Sequence, residues 1–276
     1  MNANTGPDRV KWSIAIAVVV LYALIPVAWM ISLSLKPGKD LGDKKFFSGF
    51  NFDNYSSIFK NNDFTSALKN SVIITSVTTI LALIVGSFAA YALARLRFKG
   101  KFWILAAILS ISTFPAIAIA SPIFKLWTDI GLYDTRVGLI LPYLTFALPL
   151  AIYILTSFFK EIPKELEEAA LVDGATYFQA FRKIVLPLAA PGLVTAGLLT
   201  AFFVWNEFLL AVTLTSSPNA FTVPVAVANF TGSQKFEVPL GTISAASVVI
   251  TIPLVLSVII FQKRIVAGMT AGAVKG

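Results

Sequence analysis

Residues 161–191, EIPKELEEAALVDGATYFQAFRKIVLPLAAP, decide the fold, because this charged stretch stands between two long uncharged runs. Pro163 suits the first turn of a helix, where a missing N–H is tolerated. Gly174 is predicted to end that helix in a left-handed conformation. Thr176, followed three residues later by Gln179, predicts a capping box that opens a second helix. The stretch is therefore predicted to form a helix–turn–helix that connects two membrane spans.

The second helix of this stretch carries an apolar face. Phe178, Phe181 and Val185 fall on one side of it at helical spacing, and Pro187 and Pro191 limit its length. Two interpretations are open at this point. The stretch is either a solvated connection, or a docking element whose apolar faces are covered by another protein.

The composition indicates an integral membrane protein. Of 276 residues, 57% are hydrophobic and only 13% are charged, against about 25% charged in an ordinary soluble domain. The mean hydropathy is +0.81. We interpret the net charge of +8 as basic residues that flank spans, and not as a nucleic-acid surface. Cysteine and histidine are both absent from the sequence, so we expect no disulfide, no catalytic triad and no metal site.

Six apolar runs are each long enough to cross a bilayer as a helix, which takes about 20 residues. They cover residues 12–35, 71–94, 102–124, 137–159, 188–214 and 240–261. We expect Pro115 and Pro122 to bend the third run, either as a wall of a translocation path or as a packing kink. The alternative for the first run is a cleaved signal peptide, but the run is long and a convincing cleavage site is missing.

The orientation is predicted from a basic cluster at the end of the second run. Arg95, Arg97, Lys99 and Lys101 follow one another without an intervening acid. Such clusters mark the cytoplasmic side of a membrane, although a site for lipid phosphate is a compatible interpretation. Both termini are then inside, and the fold class is an all-α integral membrane protein with six transmembrane helices.

The spacing in the charged stretch resembles a known motif. Glu168-Ala169-Ala170 is followed after three residues by Gly174, after nine more by Ile184, and then by Leu186-Pro187. This pattern resembles the EAA motif of ABC importer permeases. The chain is similar to MalG-type carbohydrate permeases, and the runs at 139–163 and 228–237 resemble trehalose and maltose/trehalose permeases of actinobacteria. The resemblance implies the type I ABC importer permease fold.

In that family the EAA segment enters a cleft on the ATP-hydrolysing subunit, and we call residues 161–191 the coupling segment. The small side chains of Ala169 and Ala170 leave a helix face thin enough for such a cleft. The resemblance assigns this contact to Glu165, Glu168, Ala169, Ala170, Asp173, Gly174, Phe181, Ile184, Leu186 and Pro187. The C-terminal tail, through Gly268, Thr270 and Gly272, is implied to reach the ATPase interface, whereas composition alone is typical of a frayed end.

The resemblance also implies the partners. These are a second permease subunit of the MalF/SugA type, an ABC ATPase dimer, an extracytoplasmic sugar-binding lipoprotein, a disaccharide and the surrounding membrane lipid. ATP and Mg²⁺ would belong to the ATPase, since this chain lacks a Walker A sequence. Trehalose is the first expectation for the cargo, with maltose, maltodextrin or another sugar or polyol as the alternative. The expected layout is an N-terminal tail, span and outer loop (1–69), a core (70–262) and a cytoplasmic tail (263–276).

An acid within the fifth run is the remaining candidate. Glu207 follows Trp205 and Asn206, and a charge in hydrocarbon is costly unless it is paired or wetted. Three interpretations are open: a role in the sugar path or its outer gate, a position among the lipid headgroups, or a structural pair with the partner subunit. The amide and the indole are groups that a sugar site uses, yet in the maltose system the partner permease supplies most of the membrane sugar contacts.

Two other classes of function were weighed. A membrane enzyme would need a cluster of nucleophile and base, and the sequence offers neither histidine nor cysteine for one. A self-sufficient secondary transporter more often shows several intramembrane charges or an inverted repeat. The sequence therefore predicts a transport subunit that is not itself an enzyme.

Overall fold

The computed structural model describes residues 6–37, 46, 49–230 and 239–273, with side chains from residue 10 to residue 262 within these ranges. These residues form helices and no strand. The helices are α1 Gly6–Leu35, α2 Asp53–Lys60, α3 Asn62–Arg95, α4 Lys101–Thr113, α5 Ala116–Asp129, α6 Arg136–Glu161, α7 Lys164–Val172, α8 Tyr177–Ala180, α9 Leu186–Leu188, α10 Ala190–Trp205, α11 Leu209–Leu214, α12 Val223–Ala228 and α13 Leu240–Ala273. A π-helical turn, Phe181–Val185, joins α8 to α9.

Six membrane crossings fit the described part of the chain. Four helices are long and apolar enough to span a bilayer, over Val10–Leu35, Asn62–Arg95, Arg136–Glu161 and Leu240–Gln262. Two bent pairs supply the others: Lys101–Thr113 with Ala116–Asp129, and Tyr177–Leu188 with Ala190–Trp205. The predicted all-α, six-span fold class is thereby confirmed by element type and length.

The third predicted span is broken and not merely bent. α4 and α5 meet at an angle of 84°. The break falls at Phe114 and Pro115, both of which have extended backbone. Proline lacks the N–H that would continue the helical ladder. Pro122, the second expected bend, lies inside α5 without ending it.

The fifth predicted span, 188–214, is wrong as a continuous helix. The chain turns by 75° between Leu188 and Ala190, just after Pro187. α10 then ends at Trp205, and α11 begins only at Leu209. The interruption contains Asn206 and Glu207, so the acid lies in a helix break.

The chain divides into two compact units. The first holds the described residues of 1–65 and 227–252, and the second holds 66–226 and those from 253 onward. In the first unit, the Nδ2 atom of Asn54 donates to the carbonyls of Ser34 and Lys36, at 3.0 Å in both cases. Gly241 lies against the same amide, since a Cβ there would approach Asn54 Nδ2 to 2.7 Å.

The second unit has two apolar clusters. One contains Tyr143 of α6 and Leu210 of α11, both with almost no exposed surface. The other contains Phe159 of α6 and Phe181 of the coupling segment. Because Phe181 belongs to a buried cluster, the coupling segment is anchored to the membrane helices and is not a solvated loop. The solvated-connection interpretation is therefore wrong for its second helix.

A polar network joins the N-terminal part of α3 to the N-terminus of α6 in the second unit. The Oδ1 atom of Asn70 accepts from Nε of Arg136 at 2.8 Å. Its Nδ2 atom donates to the carbonyls of Pro218 and Phe221, at 3.0 Å in both cases. Nearby, the carboxylate of Asp134 accepts from the backbone N–H groups of Ser216 and Ser217. These bonds hold the helix ends and the loop after α11 together.

Candidate functional site: the coupling segment

The turn of the coupling segment is built by local backbone bonds. Gly174 follows the cap of α7 with φ of 87°, as predicted. Its N–H donates to Leu171 O at 3.1 Å, and the N–H of Ala175 donates to Ala170 O at 2.9 Å. This pair of bonds is the Schellman motif, which satisfies carbonyls that a helix end otherwise leaves free. Pro163 lies one residue earlier than expected, as the cap before α7 and not within its first turn.

The second helix opens with the predicted capping box. The Thr176 Oγ1 atom accepts from the Gln179 N–H at 3.2 Å, and the Gln179 Oε1 atom accepts from the Thr176 N–H at 2.8 Å. The helix then passes through the π-helical turn and ends at Leu188. Two successive motifs therefore fix the angle between the two helices of the segment.

The predicted apolar face of the second helix is only partly correct. Phe181 and Val185 are buried, but Phe178 is 58% exposed. The π-helical turn has i→i+5 bonding, which breaks the 3.6-residue period that would keep all three side chains on one face. Phe181 packs on the rings of Tyr91 and Phe159, with centroids 4.8 and 6.2 Å away.

The residues assigned to ATPase contact separate into a surface and a foundation. The exposed residues are Glu165, Glu168, Ala169, Asp173, Gly174 and Pro187, while Ala170, Ile184 and Leu186 are half-buried and Phe181 is buried. Val172 and Tyr177 add exposed apolar area beside them, with 86% and 64% of their surface accessible. The exposed group forms a tip of acidic, small and apolar residues, and the buried group attaches that tip to the core.

Glu167 is the residue that the sequence analysis missed. It lies in α7 between the exposed Leu166 and Glu168, yet its side chain is only 9% exposed. Its Oε2 atom is 3.2 Å from Nε of Arg95 at the end of α3. Its Oε1 atom accepts a hydrogen bond from the hydroxyl of Tyr91. Neighbouring acids in a helix look alike in the sequence, so nothing there distinguished this glutamate.

A cleft of about 310 Å³ lies beside this ion pair. Its lining includes Arg97, Lys164, Glu168 and Tyr177 along with the pair itself. Both signs of charge are therefore concentrated where the end of α3 meets the coupling segment.

Trp205, Asn206 and Glu207 do not form a common site. Both carboxylate oxygens of Glu207 are occupied, because Oε1 accepts from the N–H of Leu210 at 2.8 Å and Oε2 from that of Ala211 at 3.1 Å. The acid therefore satisfies backbone donors at the start of α11, an explanation that the sequence interpretations did not include.

The other two members of the triplet face different surroundings. Asn206 is exposed and donates from Nδ2 to Phe202 O at 2.8 Å. Trp205 is buried and lines a cavity of about 590 Å³ with Thr75, Thr79 and Ser257. Contact of Trp205, Asn206 or Glu207 with a transported sugar stays a prediction.

The predicted tail contacts lie outside the described side chains. Gly268, Thr270 and Gly272 fall within α13, which runs on to Ala273. The helix thus continues past the expected start of the tail at residue 263. Whether these three residues reach a partner stays a prediction, and most of the run at 228–237 is also outside the described residues.

Comparison with known proteins supports the same family that the motif in the coupling segment indicates. Residues 55–271 match the family described as binding-protein-dependent transport system inner membrane component. The chain is 56% identical over 266 residues to the trehalose transport system permease protein SugB of Mycobacterium tuberculosis, covering 96% of this chain and 97% of that one. It is 39% identical over 271 residues to the trehalose/maltose transport system permease protein MalG of Thermococcus litoralis, covering 97% of both.

A solved structure shares the fold. It is a chain of a bacterial ABC transporter involved in the import of the acidic polysaccharide alginate, with a TM-score of 0.78 and 24% identity. The match covers 95% of the present chain and 99% of the other.

Proposed function

The chain belongs to the family of binding-protein-dependent transport system inner membrane components, and we propose that it is the permease subunit through which an ATP-driven importer takes up trehalose. The single observation that carries the mechanism is the coupling segment. Its exposed tip needs a partner to cover it, and its buried foundation is continuous with the core of the membrane helices. Motion imposed on such a tip reaches the transmembrane helices.

The proposed driving partner is an ABC ATPase dimer that binds ATP and Mg²⁺. Its closure would carry the coupling segment with it, and the permease would change between inward-open and outward-open states. Glu165, Glu168 and Asp173 are exposed on the tip and suit a basic cleft wall, while Ala169 permits close approach. A second, MalF/SugA-like permease subunit and an extracytoplasmic sugar-binding lipoprotein complete the proposed assembly in the cell membrane.

Trehalose is proposed on the 56% identity to a trehalose permease over almost the full length of both chains. Maltose or maltodextrin is the second candidate, because a 39% identical relative is named for trehalose and maltose together. Trehalose and maltose are both disaccharides, so the translocation path needs no change of size between these two sugars.

The experiment is uptake of radiolabelled trehalose by cells that carry the complete importer, with and without this chain. Energy dependence is measured with a variant of the partner ATPase that cannot hydrolyse ATP. Unlabelled maltose and a polyol serve as competitors to rank the cargo. Uptake that persists when ATP hydrolysis is blocked would favour a secondary transporter and contradict the proposal. Competition by maltose or the polyol that is stronger than competition by unlabelled trehalose would change the assigned sugar.

A further inference from the structure

A buried charge pair connects the coupling segment to the end of α3. The side chains of Arg95 and Glu167 are 5% and 9% exposed, and their Nε and Oε2 atoms are 3.2 Å apart. Arg95 also donates from Nη2 to Ile162 O at 2.8 Å, just before α7 begins. Tyr91, one turn earlier in α3, donates to the same glutamate. Three side chains thus bind the start of the segment to one helix end.

Stability alone is a poor explanation for this pair. Removing two charges from water is costly, and apolar residues of similar volume often stabilise a fold as much or more. Moreover, among the described residues the Nε and Nη1 atoms of Arg95 are both buried without a hydrogen-bond partner, so the contact with Glu167 is an ion pair and not a hydrogen bond. The arrangement is directional, however, because Arg95 Nη2 donates to the Ile162 carbonyl and the Tyr91 hydroxyl donates to Glu167, and hydrogen bonds restrict both distance and orientation.

The second helix of the coupling segment is attached to the same part of α3. The ring of Phe181 lies 5.4 Å from that of Phe88 and 4.8 Å from that of Tyr91. Both helices of the segment therefore contact the last two turns of α3, one through charge and one through aromatic packing. The segment and this helix end are joined at two separated points, which resists rotation of one against the other.

α3 reaches the far side of the second unit. Residues 70 and 95 belong to one helix, and at about 1.5 Å per residue they are some 37 Å apart. At the distal end, Asn70 bonds to Arg136 and to two loop carbonyls. A displacement applied at Arg95 is therefore delivered to the network that holds the ends of α3 and α6.

We propose that Arg95 is a positioning residue for transport. Through its contact with Glu167, it makes α3 move together with the coupling segment, so that movement of the segment is carried across the membrane. The proposal rests on the proposed function, since it concerns how closure of the ATPase dimer is transmitted to the membrane helices of the permease. It assigns a mechanical role to two residues outside the exposed tip that the ATPase would contact.

The first test uses the reconstituted complex with the ATPase, the second permease and the binding protein. Arg95→Gln and Glu167→Gln remove the charge pair, and the reversed pair Arg95→Glu with Glu167→Arg restores it in the opposite sense. Arg97→Gln is the matched control, because Arg97 lines the same cleft but is exposed. We expect sugar uptake per ATP hydrolysed to fall about tenfold in each single variant, and to recover at least in part in the reversed pair.

The second test measures directly whether α3 and the coupling segment move together. The sequence has no cysteine, so spin labels can be attached at Val85→Cys on α3 and Leu166→Cys on α7, both of which are exposed and lie outside the set of residues assigned to ATPase contact. We expect one narrow distance distribution, unchanged by ATP and Mg²⁺, and a broadened or ATP-dependent distribution when Arg95→Gln is added. This measurement needs no transported sugar, so it decides the proposal even if the trehalose assignment fails.

Three results would overturn the proposal. One is wild-type uptake per ATP in Arg95→Gln. Another is an ATP-dependent change of the distance between the labels at residues 85 and 166 in the otherwise unaltered chain. The third is loss of complex assembly in the single variants that the reversed pair fails to restore, because that outcome assigns the pair a structural role only.

Discussion

The ring of Phe158 in α6 lies directly against the backbone of Gly192 in α10. A Cβ placed on Gly192 would come within 2.4 Å of the Phe158 Cγ atom and 2.7 Å of Cδ2. Real Cβ atoms do not approach other atoms so closely, so this contact exists only because residue 192 has no side chain. It sets the spacing of α6 and α10 just beyond the coupling segment.

Gly192→Ala is expected to destabilise the protein by about 1–3 kcal/mol, because an aromatic ring packed between two helices cannot move aside without separating them. The measurement is thermal unfolding of the detergent-solubilised protein. Gly197→Ala in the same helix is the control, since its Cβ would meet only the Leu83 Cδ1 atom at 3.2 Å and the Thr79 Cγ2 atom at 4.0 Å. Equal losses in the two variants would refute the packing argument.

Gly174→Val is expected to abolish coupled uptake while the protein remains in the membrane. Nothing lies within 4 Å of the added Cβ, so the penalty comes from the φ of 87° alone, at about 1–2 kcal/mol. Gly174→Asn should retain more uptake, because asparagine tolerates the left-handed region. Gly100→Val is the matched control: its φ is 93° with the same open surroundings, but it lies outside the coupling segment. Uptake and sugar-stimulated ATPase activity are the readouts.

Glu207 is expected to stabilise the start of α11 by accepting hydrogen bonds from its backbone N–H groups. Glu207→Ala leaves the N–H groups of Leu210 and Ala211 without their present acceptors, which costs about 1–3 kcal/mol for each group that stays buried. Glu207→Gln keeps one acceptor oxygen and should lie between the alanine variant and the natural protein in unfolding temperature. Uptake should follow that order. A glutamine variant with unchanged unfolding temperature but no uptake would instead place Glu207 in the sugar path.

Asp134→Ala is expected to loosen the contact between the loop before α6 and the loop after α11. The carboxylate accepts from the N–H groups of Ser216 and Ser217 at 3.0 and 3.1 Å, and from Ser217 Oγ at 2.5 Å. Asp134 also has φ of 58°, a conformation that alanine adopts less readily than aspartate or asparagine. We expect a loss of about 2 kcal/mol in Asp134→Ala and a smaller loss in Asp134→Asn, both read from thermal unfolding.

Ser217→Ala calibrates this last prediction. It removes the bond from Ser217 Oγ to Asp134 Oδ2 but leaves both backbone donors in place. Its destabilisation should therefore be less than half that of Asp134→Ala. An equal effect would show that the side-chain hydroxyl, and not the loop backbone, makes the important contact.

The sequence by itself determined the features that depend on composition or on a few neighbouring residues. Apolar length predicted a helical membrane protein, because backbone polar groups in lipid must be satisfied within each segment. Gly174 predicted a left-handed helix end, and Thr176 with Gln179 predicted a capping box, since those motifs are formed by residues at most six positions apart. The EAA-like motif indicated the family because all of its residues, from Glu168 to Pro187, lie in one continuous stretch of the sequence.

Only the tertiary structure decided which side chains are buried and where long helices break. Glu167 and Glu168 are adjacent acids, and the difference between them arises because Arg95, far away in the chain, lies beside one of them. Glu207 looked like a membrane-embedded charge until a break in the helix placed two backbone donors on its carboxylate. The difference between Glu167 and Glu168 depends on the free energy of contact with a distant segment, and the bonds of Glu207 depend on where the helix breaks. Neither is encoded in the local sequence pattern.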